Sequence, residues 1–214
     1  MKLHYGAVPE APDFDPQADG WSGIREPGPL LLQLLAVPVA LATLALLGGL
    51  FAFAFPPGSS SGASSSVPLS PWALVLILIF LVPVHEVIHA LCTPQMGATD
   101  LTLIGIWPAK LLFYAYYDGP MSRSRFLITF LGPFVVLSLL PIAGIALGRW
   151  YPLPNEVAFH LMLLSFLNGA AASGDLIGFA LVLAQIPSTA IVRNFGWRTF
   201  WKDRSLVDPE SVGR

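Results

Sequence analysis

The chain has 214 residues and a net charge of −2, and 55% of its residues are hydrophobic whereas only 11% are charged. Soluble domains usually contain about 25% charged residues, so this composition excludes an ordinary soluble domain and a disordered chain. The single cysteine excludes an intramolecular disulfide, and the small net charge argues against a nucleic-acid-binding surface. A mean hydropathy of +0.69 instead indicates a small polytopic membrane protein.

The first 28 residues are polar and acidic and are predicted to form a cytoplasmic N-terminal tail. A membrane domain is predicted over residues 29–187. Crossing a bilayer takes about 20 consecutive apolar residues. Four stretches meet this requirement, at about 29–55, 71–93, 126–148 and 157–186. The predicted fold class is therefore an all-α membrane protein with four transmembrane helices, and with a short β-hairpin or re-entrant loop between helices 2 and 3.

The segments that connect these spans differ in character. Residues Pro56 to Ser70, with the sequence PPGSSSGASSSVPLS, form a flexible linker without charge. The 94–125 loop contains two runs rich in β-branched and aromatic residues, LTLIGIW and LLFYAYY, separated by a turn that contains Pro108. This pattern predicts the β-hairpin. Residues 188–214 are basic and aromatic, and they are predicted to form a cytoplasmic tail that lies on the inner leaflet.

The distribution of basic residues predicts the orientation of the chain. With four spans, the N-terminus, the 94–125 loop and the C-terminal segment share one side, which carries ten of the eleven Lys and Arg residues. Cytoplasmic loops are enriched in Lys and Arg. We therefore expect a multi-pass protein of the cell membrane with both termini in the cytoplasm.

The second span contains the sequence HEVIH, which runs from His85 to His89 between the apolar flanks LVLILIFLVPV and ALC. Two histidines four residues apart lie on one face of a helix and can bind one metal ion. Glu86 can then act as the general base toward a metal-bound water. Ionisable groups inside a bilayer are costly and mark functional sites. The motif therefore predicts a catalytic zinc site.

A catalytic zinc ion takes three protein ligands and leaves one position open for water. Asp175 in the fourth span is the first candidate for the third ligand, because a rise of ~1.5 Å per residue places it in the same half of the bilayer as both histidines. Cys92 is the alternative, since positions 85, 89 and 92 share one helix face. A single helix, however, rarely binds one tetrahedral ion through three successive turns. The sequence also leaves open a third ligand other than these two.

Asn168 lies two turns before Asp175 on the predicted fourth helix and on the same face. Its amide could hydrogen-bond a metal ligand or the carbonyl of a substrate, so it is predicted as a catalytic residue beside Glu86. A hydrogen bond between two helices is the alternative role. Tyr114, Tyr116 and Tyr117 could supply an acidic donor, although tyrosines are common at membrane interfaces.

The chain resembles the intramembrane zinc metalloproteases of the site-2 protease group, and more closely the bacterial integral membrane proteins described as putative zincin peptidases. The features that carry the resemblance are HEVIH followed by Ala90, the loop YAYYDGPMSRSRFLI, Gly132-Pro133-Phe134 and the late SGDL at Ser173 to Leu176. The resemblance implies that His85, His89 and Asp175 bind zinc. It also implies that Glu86 is the base. One departure is that the segment from Asn168 to Asp175 is rich in Ala, whereas in site-2 proteases it is rich in proline and ends in Asp-Gly.

The predicted function is a membrane-embedded zinc metallopeptidase that hydrolyses membrane protein or peptide substrates near the cytoplasmic side. Zinc (Zn2+) is preferred to iron because an iron site built from two histidines and a carboxylate has no need of Glu86 beside the metal. The alternatives are a non-catalytic zinc-binding scaffold and a metal carrier or transport component. The expected partners are the substrate and the lipid bilayer, without nucleic acid, and the oligomeric state is open.

Overall fold

The computed structural model describes residues 1–54, 71–110, 112–148, 151 and 153–206. The predicted linker at 56–70 and the end of the C-terminal segment, 207–214, lie outside the described residues. The chain divides into two compact units. The first comprises Met1–Gly28, Glu86–Gly132 and Gly178–Arg214, and the second comprises Pro29–His85 and Pro133–Ile177.

Long apolar runs in the sequence form helices. Helix α1 covers Pro29–Ala54 and α2 covers Pro71–Cys92. Helix α3, Arg123–Phe134, continues through a π-helical turn at Val135–Leu139 into α4, Leu140–Leu147. Helices α5 and α6 cover Asn155–Ala171 and Ser173–Gln185. Among the described residues, three helical segments are long and apolar enough to cross a membrane, and there are up to four if α5 and α6 count as one span. The three are Leu30–Ala54, Leu74–Cys92 and Arg123–Leu147.

The predicted continuous helix over 157–186 is wrong, because α5 and α6 are bent by 51° with respect to each other at the break between them. The break falls at Ala172, between the Asn168-Gly169 and Ser173-Gly174 pairs. Glycine has low helix propensity, and Gly/Ser pairs are a common cause of sharp kinks. Asn168 and Asp175 therefore lie on different helices, and the predicted single face that they share does not exist.

Seven strands within the described residues correct the prediction of an all-α fold. They are β1 (Lys2–Tyr5), β2 (Ser22–Gly23), β3 (Thr102–Trp107), β4 (Leu112–Tyr117), β5 (Met121–Ser122), β6 (Ala190–Phe195) and β7 (Arg198–Asp203). The first sheet has the order β1-β3-β4, and the second has the order β2-β7-β6-β5. Strands β3 and β4 pair antiparallel, with Thr102 opposite Tyr117, which confirms the predicted hairpin.

The two segments that were predicted as tails also contribute strands. Strand β1 pairs parallel with β3, and β2 pairs with β7. Strands β6 and β7 form a hairpin whose turn contains Gly196 at φ +56°, a left-handed conformation that glycine adopts without strain. Because β1 and β3 are far apart in sequence, their pairing depends on tertiary structure and leaves no local signal.

Each unit has its own buried apolar cluster. In the first unit this cluster consists of Tyr117, Met121, Phe126, Val182, Ile186, Ala190 and Val192. In the second unit it consists of Leu47, Phe134, Ile142 and Ala172. Within the first unit, a Cβ atom built on Gly178 would lie 2.6 Å from Cε1 of Phe130, so a larger residue at this position would displace the Phe130 ring. The first turn of α6, which carries Asp175, immediately precedes this contact.

Candidate metal centre

Three predicted ligands come together in the structure. His85 and His89 lie one turn apart on α2, and Asp175 lies in the first turn of α6. One potential ligand atom from each residue lies within 4.8 Å of those of the other two. Both histidines are buried, whereas the side chain of Asp175 is 21% exposed. Across the described parts of the chain, no other three His, Cys, Asp or Glu residues bring their ligand atoms within 4.8 Å of one another.

The Asn168 amide determines which nitrogen of His85 carries a proton. Asn168 Nδ2 donates to the carbonyl oxygen of Pro133 at 3.0 Å and to Oγ of Ser138 at 2.9 Å. Its Oδ1 therefore faces Nδ1 of His85, at 2.8 Å. Because an amide oxygen can only accept, Nδ1 must be the donor, and the lone pair of the neutral ring lies on Nε2.

The Nε2 atom of His85 lies 3.0 Å from Oδ2 of Asp175. With Nδ1 protonated, a neutral His85 ring and the carboxylate present two acceptors to each other. Two acceptors at this distance need a proton or a metal ion between them. The pair is therefore suited to hold a cation.

His89 is oriented by the backbone of α3. Its Nδ1 lies 2.7 Å from the carbonyl oxygen of Thr129, and since a carbonyl oxygen only accepts, Nδ1 is the donor. The lone pair of the neutral His89 ring then lies on Nε2. Metal-binding histidines characteristically donate their second ring N–H to an oxygen acceptor in this way, which sets both the tautomer and the orientation of the ring.

The donor set fits a catalytic zinc ion. Two imidazole nitrogens and one carboxylate oxygen provide three ligands and leave a position for water. Both histidines have the outer hydrogen bonds that such a centre requires. The side chain of Asp175 is partly exposed, so this ligand is in contact with solvent.

Asn168 bonds to His85, one of the candidate metal ligands, which is one of the two contacts predicted for its amide. Its side chain is fully buried, and its amide group already donates to two oxygen atoms, so it has no proton to offer the carbonyl of a substrate. These contacts are those of a residue that positions His85, and the participation of Asn168 in catalysis stays a prediction. The Asn168 side chain makes both of the contacts that were predicted as alternatives. It bonds to the candidate metal ligand His85, and it bonds to Pro133 on another helix.

Asn168→Ala is expected to weaken zinc binding by about 10- to 100-fold, the usual effect of removing an outer partner of a ligand. The variant leaves the buried Nδ1–H of His85 without its acceptor. Zinc affinity would be measured by competition with a chelator. The control is Ser165→Ala, which removes the buried hydrogen bond to the carbonyl oxygen of Ser138 from the same helix without touching His85. Equal weakening in both variants would contradict a specific role for Asn168.

Cys92, the alternative third ligand, is not a member of the ligand group. A Cβ built on Gly132 would lie 2.6 Å from the Sγ of Cys92, so the thiol occupies space that only glycine leaves on α3. Cys92 therefore packs α2 against α3, as a small apolar side chain does.

Glu86 lies at the free edge of β4. Its Oε2 accepts a hydrogen bond from the backbone N–H of Ala115 at 2.7 Å. Backbone groups alternate between the two edges of an antiparallel strand. The N–H of Asp118 points toward β3, because it bonds to the carbonyl of Leu101 in the register of the β3–β4 pair. Ala115 lies three residues earlier, an odd number, so its N–H points away from β3. Because β4 is the last strand of the first sheet, Glu86 contacts an edge.

Two tyrosines of the 94–125 loop donate hydrogen bonds from their hydroxyl groups to backbone carbonyls of other segments. Tyr114 donates to the carbonyls of Gly6 and Ala7, at 3.2 and 3.0 Å, and Tyr116 donates to that of Asn194 at 3.1 Å. Burial raises the pKa of Tyr114, and burial with the nearby charge of Asp118 raises the pKa of Tyr116. Both hydroxyls therefore stay protonated at neutral pH and are poor acids.

The groups that the sequence analysis missed are mostly backbone atoms. The carbonyls of Thr129 and Pro133 and the N–H of Ala115 have no side-chain signature. Ser138 is different, because it is the single polar residue within the apolar run FVVLSLLPIAG. It lies in the π-helical turn at Val135–Leu139, and such turns are frequent at functional sites.

Comparison with known proteins adds one finding. A family model with the description "Putative zincin peptidase" matches residues 78–191, just over half of the chain. The matched region begins in α2 and ends in β6, so it contains all three candidate ligands, Glu86 and Asn168. No curated protein and no solved structure matches the chain.

Proposed function

Because the chain belongs to the family described as "Putative zincin peptidase", we propose that it is a membrane-embedded zinc metallopeptidase whose zinc ligands are His85, His89 and Asp175. The observation that carries this proposal is the convergence of the three side chains, with Nδ1 of each histidine bonded to an oxygen acceptor. This arrangement directs two imidazole lone pairs and a carboxylate to one place.

In the proposed reaction, a zinc ion held by His85, His89 and Asp175 would act as a Lewis acid and lower the pKa of a water molecule toward neutral pH. Glu86 accepts the proton of the attacking water and transfers it to the amine of the leaving group. The N–H of Ala115 holds the Glu86 carboxylate at the edge of β4, beside the helix that carries both histidines. The general base is therefore oriented before substrate arrives.

The free edge of β4 suggests how a substrate is held. Helical amides are sheltered by their own hydrogen bonds, so a membrane segment must unwind before it is cleaved. An unwound segment can add as a further strand to a sheet edge. The edge of β4 lies next to Glu86, which would bring the added strand to the base.

Ala115→Pro tests whether the backbone of β4 orients Glu86, because proline is accepted at an edge strand but removes the N–H that donates to the Glu86 carboxylate. We expect zinc content to be retained and kcat/KM to fall by about 10- to 100-fold, since a hydrogen bond to a charged group contributes about 1.5–3 kcal/mol. Ala115→Val, which keeps the N–H, is the control. A coarser variant, with residues 101–117 replaced by a Gly/Ser linker, should also keep zinc and lose cleavage. Unchanged cleavage in the linker variant would rule out strand addition, and unchanged cleavage in Ala115→Pro would show that the N–H of Ala115 does not orient Glu86.

The proposal also covers the side of the membrane at which the reaction takes place and the proteases to which the chain is related. We place the reaction near the cytoplasmic side of the cell membrane with both termini in the cytoplasm, on the basis of the Lys and Arg distribution. We also propose a relation to the site-2 protease group, which rests on HEVIH in one membrane helix followed by Asn168 and Asp175 later in the chain. The substrates are proposed to be membrane proteins or peptides.

The test of the proposed function is zinc content by mass spectrometry on protein purified in detergent, together with cleavage of membrane peptides in vesicles. About one zinc ion per chain and zinc-dependent cleavage are expected. Zinc without cleavage of any membrane peptide would favour the scaffold alternative. A protein that binds no zinc would overturn the proposal.

A further inference from the structure

Pro133 lies inside helix α3, and its side chain is fully buried. Proline has no N–H, so in a helix it removes the hydrogen bond to the carbonyl four residues earlier, and its ring also clashes with that carbonyl. Buried carbonyl groups are almost always paired. The carbonyl that loses its helical donor at this point is therefore expected to accept a hydrogen bond from another part of the chain.

The carbonyl in question belongs to Thr129, four residues before Pro133. It is the same carbonyl whose oxygen lies 2.7 Å from Nδ1 of His89 and accepts its proton. The clash with a proline ring favours a carbonyl that is turned away from the helix axis, where a neighbouring helix can reach it. The helical bond that Pro133 removes is thus replaced by the bond that orients His89.

The residue before the proline allows α2 to approach α3 at this point. A Cβ built on Gly132 would lie 2.6 Å from Sγ of Cys92 and 3.3 Å from Cγ2 of Ile88, which are both on α2. Ile88 directly precedes His89 in the chain, and Cys92 follows it by three residues. The close contact therefore lies beside His89. Gly132 leaves space for α2, and Pro133 leaves a carbonyl without its helical donor.

We propose that Pro133 is a positioning residue for His89 and that it acts through its missing N–H. An N–H at position 133 would donate to the Thr129 carbonyl and would compete with the His89 ring for it. The functional meaning rests on the proposed zinc centre, because a ring that donates through Nδ1 presents Nε2 to the metal. The proline marks the free carbonyl in the sequence, whereas its partner His89 is given only by the fold.

The first measurement is zinc affinity, by competition with a chelator, in Pro133→Ala. This variant supplies the missing N–H, and we expect it to weaken zinc binding by about 10- to 100-fold, the usual effect of losing an outer partner of a ligand. Pro38→Ala is the control, because it supplies an N–H inside α1, which carries none of the three candidate ligands. Its zinc affinity should equal that of wild type.

A second variant separates the N–H from the lost proline ring. Lactic acid, the α-hydroxy analogue of alanine, is placed at position 133 by cell-free translation. It has the side chain of alanine, but an ester oxygen stands where alanine has its N–H. We expect this ester variant to bind zinc as tightly as wild type, because the Thr129 carbonyl again has no helical donor.

The third measurement does not depend on zinc. Nitrogen-15 NMR of the histidine rings in zinc-free protein reports which ring nitrogen carries the proton, and the His89 signals are identified by their absence in His89→Gln. We expect the proton on Nδ1 in wild type and in the ester variant, since Nδ1 donates to Thr129. In Pro133→Ala we expect the proton to be divided between the two nitrogens.

Two outcomes would overturn the inference. The same His89 tautomer in wild type and in Pro133→Ala would show that the Thr129 carbonyl, which has two lone pairs, serves both donors. Equal weakening of zinc binding in Pro133→Ala and in the ester variant would assign the effect to the proline ring. A wild type that binds no zinc would contradict the proposed function, whereas the NMR comparison would still decide the role of Pro133.

Discussion

Glu86→Gln is expected to lower kcat for peptide cleavage by about 10²–10⁴-fold, the usual contribution of a general acid–base residue. Glutamine has nearly the same size as glutamate, and its amide oxygen can accept the N–H of Ala115 as Glu86 does. The amide, however, cannot take a proton from the attacking water. Zinc content should stay at about one ion per chain, because Glu86 is outside the ligand group.

The experiment compares cleavage of a membrane-embedded peptide in vesicles with zinc content measured on the same samples. Glu156→Gln is a matched control, since Glu156 is an exposed glutamate in the first turn of α5. Wild-type cleavage by Glu86→Gln would remove Glu86 from the mechanism. Loss of zinc from that variant would instead assign Glu86 to the metal centre.

Asp175→Ala is expected to remove zinc more completely than Asn168→Ala, for which about a 10- to 100-fold weakening is expected. Asp175 supplies the only carboxylate in the ligand group, and its Oδ2 lies 3.0 Å from Nε2 of His85. Without it, only two histidine ligands on one helix remain, one fewer than the three protein ligands of a catalytic zinc ion. Cleavage should fall to background, because the reaction depends on the metal.

Zinc affinity of the Asp175 variant would be measured by chelator competition, beside two comparison proteins. Asp100→Ala removes an exposed carboxylate that lies 3.5 Å from Lys2, and an exposed pair of this kind contributes little to stability, so zinc binding should be unaffected. Cys92→Ser should also keep its zinc, because the thiol packs near Gly132. Full zinc in Asp175→Ala with loss in Cys92→Ser would reverse the assignment of the third ligand.

The residues of the candidate metal centre could be identified from the sequence because their signals are local or nearly so. The i, i+4 spacing places His85 and His89 on one face of any helix, whatever surrounds it. Asp175 is the one acidic residue within the apolar fourth stretch, so the cost of burying a charge singles it out. The β3–β4 hairpin was predictable for a similar reason, because two short β-rich runs flank a turn that contains Pro108.

The contacts of the Asn168 side chain could be found only from the tertiary structure. On an unbroken helix its amide would have shared a face with Asp175, but the break at Ala172 puts the two residues on separate helices. The amide then bonds to Pro133, Ser138 and His85. None of these partners is close to Asn168 in sequence, so periodicity could not identify them.

The amino acid sequence by itself determined the apolar helices, the HEVIH spacing and the hairpin, because each depends on residues within a few turns of one another. The tertiary structure decided that the N-terminal and C-terminal segments form strands, that Ala115 offers its N–H to Glu86, and that Thr129 orients His89. These features are made by backbone groups, which every residue type carries. A backbone hydrogen bond between distant segments leaves no mark on the identity of its residues, so only the folded chain reveals it.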